Sequence, residues 1–211
     1  MKLYVEGGGD TSALKTACRE GFAKFITDAG LKNRPRVVAC GSRRDAFESF
    51  CTAIASSEAA MLLVDSEDFV SADHQTNVDP TKWLPWTHLK RRQGDGWEKP
   101  AGSSDTDCHL MVQVMESWFL ADRDALASFF SNGFKDTQLP AAQRSIEGIA
   151  KLDVYACLQK ATANCKTKAP YGKGEHSFKI LAQIDPSKVT GASPWAKRFV
   201  DALILKMDGA T

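Results

Sequence analysis

The sequence predicts an α/β fold with a mostly parallel sheet flanked by helices and followed by a helical C-terminal region. Two observations support this prediction. Short apolar segments alternate with helical patterns over the first 65 residues, and these segments are continuously apolar rather than alternating with polar residues. Continuously apolar strands are typical of parallel sheets whose two faces are both covered by helices. Beyond Pro140, the remaining pattern is helical.

The first strand–helix unit begins at the N-terminus. Residues 3–5 form a short apolar strand that three consecutive glycines at positions 7–9 bring to an end. Asp10, Thr11 or Ser12 could cap the helix that follows, and Gly30 ends it. Apolar residues recur every three or four positions along this helix, as a buried helical face requires: Leu14, Ala17, Cys18, Phe22, Phe25, Ile26 and Ala29.

Two further units and a fourth strand complete the predicted sheet. Residues 37–40 form the second strand, after which Ser42 caps a helix, and residues 61–64 form the third strand, which ends at Asp65. Residues 69–107 show no sustained period and are predicted to form a long insertion loop, a length that usually indicates a functional or mobile segment. Residues 110–115 resume the sheet and lead to Glu116.

The C-terminal part is predicted to consist of helices over residues 149–163 and 178–184 and of a last helix that Ser193 and Pro194 open. The predicted organisation is therefore an α/β core over residues 1–125, with the insertion at 69–107, and a helical extension over residues 126–211 that packs on this core.

The composition restricts the functional class. The 211 residues include 27 Lys and Arg and 26 Asp and Glu, so the net charge of +1 excludes a generally basic nucleic-acid coat but not a local basic patch. An apolar stretch long enough for a signal peptide or a membrane helix is missing from the sequence. The six cysteines form no C-x-x-C pair, which argues against structural zinc. We therefore expect a soluble cytoplasmic protein with reduced thiols and no membrane partner.

Acidic residues follow three of the four predicted strands. Glu6 ends the first strand, Asp65 ends the third and is followed by Glu67 and Asp68, and Glu116 ends the fourth. The carboxyl ends of parallel strands form the ligand crevice of an open sheet, so these carboxylates should gather there. Their mutual repulsion favours a divalent cation, and ligation by oxygen alone favours Mg²⁺ or Mn²⁺. Such ions, in pairs, promote phosphodiester cleavage.

Basic residues provide candidate phosphate contacts. Arg43 and Arg44 end the second strand and could meet a phosphate of the substrate. Lys173 lies between two glycines, where its amine could reach a scissile phosphate, although an ordinary helix-entry turn would have the same sequence. His176 could contact phosphate or act as a general acid, or it could be a surface histidine that caps a helix.

A basic run in the insertion offers a second candidate surface. Lys90, Arg91 and Arg92 lie between tryptophans, with Trp86 before them and Trp97 after them. Bases of a nucleic acid could stack on the indoles while the cations contact phosphates. The alternative is a solvated loop whose tryptophans pack onto the body of the protein.

Four other features have an ordinary structural explanation. Asp10 could assist the metal site or simply cap the first helix, and Glu116 could be a further ligand or an acid in the first turn of a helix. Trp118 is expected in the core. The glycines at positions 7–9 match neither G-x-G-x-x-G nor a Walker motif, which argues against binding of NAD or ATP at this loop.

The acidic motifs resemble those of a known family. The segment E-G-G-G-D at positions 6–10 matches the E-G-x-x-D pattern of Toprim domains, and D-S-E-D at positions 65–68 is similar to their D-x-D motif. Nearly the whole chain resembles an uncharacterised bacterial Toprim-like family through these segments and through M-E-S-W-F-L-A-D at 115–122 and Y-G-K-G at 171–174. This family is related to the overcoming-lysogenization-defect nucleases.

The resemblance implies a Toprim-like fold and a Mg²⁺- or Mn²⁺-dependent nuclease that acts on DNA or RNA. It implies that Glu6 and Asp65 take part in catalysis, with Lys173 as a further candidate. Some related families lie beside ATPases in phage-defence loci, so an ATPase partner is also implied. An oligomer is compatible with this class of protein.

One position departs from the Toprim pattern. Glu67 occupies the place of the second aspartate, and Asp68 follows one residue later. Either Glu67 or Asp68 is therefore the second metal ligand of this motif, or the site has degenerated and no longer binds a metal. A degenerate site would make the chain a non-catalytic Toprim scaffold bound to an ATPase. A third interpretation is a phosphotransferase that acts on small molecules.

Overall fold

The computed structural model of the chain describes residues 1–208 and confirms the predicted α/β fold. The last three residues of the predicted helical extension, 209–211, lie outside the described residues. Four parallel strands form one sheet in the order β2-β1-β3-β4. The strands are β1 (Lys2–Val5), β2 (Arg36–Ala39), β3 (Ala60–Asp65) and β4 (Cys108–Met111).

Within residues 1–208, eight α-helices accompany the sheet. They are α1 (Ser12–Asp28), α2 (Arg43–Ala55), α3 (Pro85–Arg91), α4 (Arg123–Phe130), α5 (Lys151–Thr162), α6 (Ser177–Leu181), α7 (Pro186–Ala192) and α8 (Pro194–Asp208). Short 3₁₀ helices connect them at Ala72–His74, Pro80–Lys82, Asp105–Asp107, Met115–Ala121, Asp136–Gln138 and Ile146–Gly148. The predicted insertion at 69–107 is thus built from α3 and three 3₁₀ turns rather than from one unstructured loop.

The helix caps follow the predicted chemistry. Thr11 caps α1, because its Oγ1 accepts a hydrogen bond from the Leu14 N–H at 3.2 Å. Ser42 caps α2 in a capping box with Asp45, in which each side chain bonds the other residue's backbone N–H. These caps fix where the chain turns after β1 and β2.

The predicted fourth strand, residues 110–115, is wrong at both ends. The strand runs over Cys108–Met111, and Glu116 lies in the 3₁₀ helix that follows rather than at a strand end. Beyond Met111 the backbone bonds the turn after β3 instead of extending the sheet, since the Glu67 N–H donates to the Gln113 carbonyl at 2.8 Å.

The hydrophobic core consists of two clusters, one on each face of the sheet. Alternate strand residues face opposite sides, so Leu3 and Val5 join the cluster beneath α1 whereas Tyr4 joins the cluster beneath α2. The first cluster also contains Phe130 and Phe199 of the C-terminal half, so the helical region packs directly on the sheet. The result is a Rossmann-like arrangement with helices on both faces.

The tryptophans of the insertion belong to the second cluster. Trp83, Trp86 and Trp97 are at most 9% exposed, and the ring of Trp97 stacks on Phe47 of α2 with centroids 4.5 Å apart. The alternative in which these indoles pack onto the body is therefore confirmed, and they are not a platform for bases. Trp118 is fully buried, as expected.

Two further expectations concern the chain as a whole. Within residues 1–208, none of the helices combines the length and the apolar character that crossing a lipid bilayer requires. All six cysteines are free thiols, and three of them, Cys18, Cys108 and Cys157, are buried.

Candidate functional site

The strand order places two of the predicted acids side by side. From β1 the chain crosses to β2 on one side and then to β3 on the other, so the carboxyl ends of β1 and β3 border the crevice where open α/β sheets bind ligands. Glu6 follows β1 and Asp65 ends β3. The Asp65 N–H donates a hydrogen bond to Glu6 Oε2 at 3.1 Å, so the two residues are in direct contact.

The Asp65 carboxylate is buried and held in a fixed orientation. Asp65 is 3% exposed, and its Oδ1 accepts a hydrogen bond from the Met115 N–H at 2.8 Å. The 3₁₀ helix after β4 therefore supports Asp65 from behind.

Glu67 completes a cluster of three carboxylates. One oxygen from each of Glu6, Asp65 and Glu67 lies within 4.8 Å of the other two, a spacing that allows all three to bind one cation. The backbone of Glu67 is left-handed, with φ of 67°, which costs a residue with a side chain about 1–2 kcal/mol. Such strain is typical of positions where a side chain must be aimed at a functional site.

Asp68, the alternative ligand, points elsewhere. Its side chain is 69% exposed and pairs with Arg92, with 3.2 Å between Asp68 Oδ2 and the Arg92 Nε. The structure therefore places Glu67, and not Asp68, with Glu6 and Asp65.

Burial and charge repulsion raise the pKa values of two carboxyl groups in this cluster. Burial, reinforced by the charge of Glu67 and only partly offset by Arg43, raises the pKa of Glu6 to about 7. Burial and the neighbouring charges of Glu6 and Glu116 raise the pKa of Asp65 well above its ordinary value. A hard divalent cation would relieve both effects, and a set of three carboxylate donors is the chemistry that Mg²⁺ and Mn²⁺ prefer. The residues present thus fit such an ion.

Arg43 contacts residues at the carboxyl ends of both β1 and β3. Its Nη2 donates to the Asp65 carbonyl at 2.9 Å, its Nη1 donates to Asp95 at 2.5 Å, and its Nε lies 3.3 Å from Glu6 Oε2. Its guanidinium also lies over the ring of Trp97 at 4.8 Å. Burial lowers the pKa of Arg43, but the bond with Asp95 and the charge of Glu6 outweigh this effect and raise it. The predicted phosphate contact is thus engaged with the protein itself.

Two other cations contact Glu67. Lys151 Nζ donates to both Glu67 carboxylate oxygens, at 2.6 and 2.5 Å, and Arg92 Nη2 lies 3.7 Å from Glu67 Oε2. Lys151 begins α5, in the C-terminal half of the chain. These contacts balance part of the negative charge of the cluster.

A cavity of about 310 Å³ opens beside the carboxylates. Its polar lining residues are Glu6, Asp65, Glu116, Lys173 and Ser177. The remaining wall consists of backbone and apolar groups: Gly7, Gly8, Gly9, Gly41, Gly174, Leu14, Met111, Met115 and Phe178. This size lies at the lower end of the range of about 300–1,000 Å³ for ligand pockets.

The glycine run is required by the shape of this wall. Gly8 has φ of +89°, and a Cβ at this position would lie 2.9 Å from the Lys15 Cα. A side chain would therefore displace the loop from the start of α1. The glycine run therefore allows the chain to turn closely at the cavity.

Glu116 lines the cavity but is not part of the three-carboxylate cluster. It is fully buried, and its Oε1 accepts hydrogen bonds from Tyr171 Oη at 2.9 Å and from Ser177 Oγ at 3.1 Å. Both donors flank the turn that carries Lys173. Glu116 thus anchors this turn, a role that differs from the predicted metal ligation.

Lys173 projects into the cavity with its charge intact. Its Nζ donates to Tyr155 Oη at 3.0 Å. Burial lowers the pKa of Lys173, but the charges of Glu116 and Asp65 and the bond to Tyr155 outweigh burial and raise it. The amine thus lines the same cavity as Glu6 and Asp65, and its predicted contact with a scissile phosphate stays a prediction.

The other predicted phosphate contacts lie away from the cavity. His176 is 3% exposed, packs between the rings of Phe129 and Phe130, and its Nδ1 accepts a hydrogen bond from the Gly172 N–H at 3.1 Å. It is therefore not the surface histidine considered above but a buried support of the Lys173 turn.

Arg44 and Lys90 are exposed and pair with acidic neighbours. Arg44 contacts Glu48 and Lys90 contacts Glu98. Arg91 is exposed at the end of α3. None of these three residues lines the cavity beside the carboxylates.

Several residues of this site could not be recognised from the sequence. Asp95 holds Arg43, Lys151 contacts Glu67, and Tyr155 and Tyr171 support Lys173 and Glu116. Of these, only Tyr171 carried a signal, through the Y-G-K-G segment, and that signal directed attention to the lysine.

Comparison with known proteins identifies a family. The model of the family described as "Domain of unknown function (DUF4276)" matches residues 5–204, which is nearly the whole chain. The chain therefore belongs to this family. Neither the curated proteins nor the solved structures contain a match.

Proposed function

We propose that this member of the DUF4276 family is a divalent-metal-dependent phosphodiesterase that acts on nucleic acid. The observation that carries this proposal is the convergence of Glu6, Asp65 and Glu67 within 4.8 Å at the crevice of a parallel sheet. The motif resemblance to Toprim domains supports it, since the same acids that resemble the Toprim ligands are the ones that meet.

Glu6, Asp65 and Glu67 would hold Mg²⁺ or Mn²⁺. When bound, such an ion would lower the pKa of water and stabilise charge on a phosphodiester. The protein supplies rigidity: the Met115 N–H fixes the Asp65 carboxylate, and Arg43 holds the Asp65 carbonyl. Because Asp65 is already oriented, metal binding would require little rearrangement of this residue. Glu67 would first have to exchange its contact with Lys151 for the metal.

Lys173 would provide the positive charge that faces the substrate. Its amine lies in the same cavity as the carboxylates and is charged at neutral pH. Tyr155 and the buried Glu116 hold it and its turn in place. We therefore assign Lys173 to the substrate phosphate, and we assign Arg43 to the positioning of the carboxylates.

Cleavage of DNA and RNA substrates with Mg²⁺ or Mn²⁺ tests this proposal. We expect wild-type protein to cleave one of these polymers, and we expect Asp65→Asn and Glu6→Gln to reduce the rate at least 100-fold, the scale of losing a metal-directed contribution. Glu58→Gln is the control, because Glu58 is exposed, contacts Lys2 at the opposite end of the strands and lines neither pocket. Equal rates for wild type and Asp65→Asn would overturn the proposal.

One observation favours a second candidate, a non-catalytic scaffold. Lys151 contacts both oxygens of Glu67, and Arg43 lies beside Glu6, so protein cations already balance much of the cluster's charge. In that case the chain would serve as a regulatory subunit, with an ATPase as the partner that the resemblance implies. Titration with Mn²⁺ separates the two candidates, since the scaffold would show no binding at millimolar concentration.

The cysteines and the family resemblance also bear on where and on what the proposed enzyme acts. The six free thiols support a reducing compartment, so we place this activity in the cytoplasm. The resemblance to families in phage-defence loci supports a role in the destruction of foreign nucleic acid. A small-molecule phosphotransferase would instead turn over nucleotides without cleaving a polymer.

A further inference from the structure

A second pocket, of about 340 Å³, lies on the insertion side of the turn that carries Glu67. Phe69, His74 and His88 line it together with Arg91 and Arg92. Its lining combines an aromatic ring, two imidazoles and two guanidinium groups. The pocket does not share a wall residue with the cavity beside the carboxylates.

Phe69 gives the pocket an exposed aromatic ring. Its side chain is 58% exposed, and it is the only aromatic residue among the exposed large hydrophobic residues of the described chain. Exposed aromatic rings are the surfaces on which proteins stack the bases of single-stranded nucleic acids. Because the tryptophans of the insertion are buried, Phe69 is the ring in this region that a base can reach.

His74 points to a ligand independently. The residue is 5% exposed, and neither of its ring nitrogens has a hydrogen-bond partner within residues 1–208. A buried polar group without a partner is rare in folded proteins and calls for an explanation. Its neighbour His88 is satisfied, since its Nε2 donates to the Ser66 carbonyl at 2.9 Å. An N–H of His74 suits an anionic oxygen.

Arg91 supplies the charge. It is exposed at the last turn of α3 and makes no ion pair within the described residues. The adjacent Arg92 is engaged by Glu67, Asp68 and Asp95 and thereby links the pocket to the carboxylate cluster. Arg91 is thus the guanidinium of this pocket that remains for a phosphate.

We propose that this pocket binds one nucleotide of a single-stranded nucleic acid, with the base on Phe69 and the phosphate on Arg91 and His74. The inference rests on the proposed function and names its substrate class. Phe69 lies two residues after Glu67, so their Cα atoms are at most about 7 Å apart and one strand can reach both sites. A base paired and stacked within a duplex does not offer its face to Phe69.

Binding measured without metal tests the proposal, because cleavage does not occur in EDTA. Fluorescence anisotropy with labelled oligothymidylate and oligouridylate should show that Phe69→Ala raises the Kd roughly 5- to 100-fold, the range for loss of a stacked base. Phe69→Tyr should retain wild-type affinity. Val78→Ala is the control, because Val78 is fully exposed in the same insertion and lies outside the pocket.

Two further measurements separate the contributions of the base and of the phosphate to the binding affinity. Arg91→Ala should weaken binding and reduce the slope of log K against log salt by about 0.7, the value for one phosphate contact on a single strand. On an abasic oligonucleotide, Phe69→Ala should have no further effect, whereas Arg91→Ala should still weaken binding.

The proposal is overturned if wild-type protein binds no oligonucleotide, if Phe69→Ala binds as tightly as wild type, or if a blunt duplex binds as tightly as the single strand. These outcomes are distinct from failure of the proposed function. A protein that binds single strands through Phe69 but cleaves nothing with Mn²⁺ would retain this pocket and lose the phosphodiesterase.

Discussion

The buried carboxylates make the stability of the metal-free protein depend on pH. The folded-state pKa of Glu6 is about 7, compared with an ordinary value of 4.5, and burial is the main cause. The folded protein therefore keeps a proton that the unfolded chain loses. This stabilisation is present below pH about 4.5 and is lost as the pH rises through about 7. Asp65 acts in the same direction.

The size of this effect follows from the shift. At about 1.36 kcal/mol per pKa unit, raising the pKa of Glu6 from 4.5 to about 7 corresponds to roughly 3 kcal/mol of stability lost by pH 8. For a chain of this size, 1 kcal/mol shifts the Tm by about 2–4 °C, so the loss amounts to about 6–12 °C. Because the Glu6 side chain is only 15% exposed, solvent screens little of this energy.

Glu6→Gln removes the charge and mimics the protonated side chain. We expect this variant to decline less in stability between pH 5 and 8 than wild type, because only Asp65 still contributes, and to be more stable than wild type at pH 8 in EDTA. Thermal or denaturant unfolding measures both quantities. Glu48→Gln is the control, since Glu48 is an exposed surface residue paired with Arg44. Parallel pH profiles for wild type and Glu6→Gln would refute this reasoning.

Other expected outcomes concern the walls of the cavity. Tyr171→Phe removes a hydrogen bond to the buried Glu116 and should lower the free energy of unfolding by about 1.5–3 kcal/mol in urea denaturation; an unchanged midpoint would contradict the anchoring role. Gly8→Ala forces a Cβ against Lys15 at φ of +89° and should lower the Tm, whereas Gly191→Ala, in an open position on α7, should leave it unchanged or raise it. Equal Tm values for Gly8→Ala and wild type would show that the loop is not constrained.

Much of the fold could be predicted from local patterns. The apolar runs before Glu6 and Asp65 identified β1 and β3, and the cap at Ser42 identified the start of α2. Since parallel strands end at one edge, their terminal acids could be expected to meet, and the structure brings them together. The fourth strand was misplaced because Met111–Met115 is apolar except for Gln113. Such a mainly apolar run does not distinguish a strand from buried irregular backbone.

The partners of the carboxylates could not be predicted, because they come from distant parts of the chain. Lys151 reaches Glu67 across 84 residues, and Tyr171 reaches Glu116 across 55 residues. The choice between Glu67 and Asp68 depended on one left-handed backbone angle, which a sequence motif does not encode. Tertiary packing decided each of these contacts.

Anomalous diffraction from a crystal soaked in Mn²⁺ is the most direct test of the proposed metal site. The account predicts a manganese peak in contact with Glu6, Asp65 and Glu67, with Lys151 moved away from the Glu67 carboxylate. A map without a peak at this position, with Lys151 still bonded to both oxygens of Glu67, would contradict it.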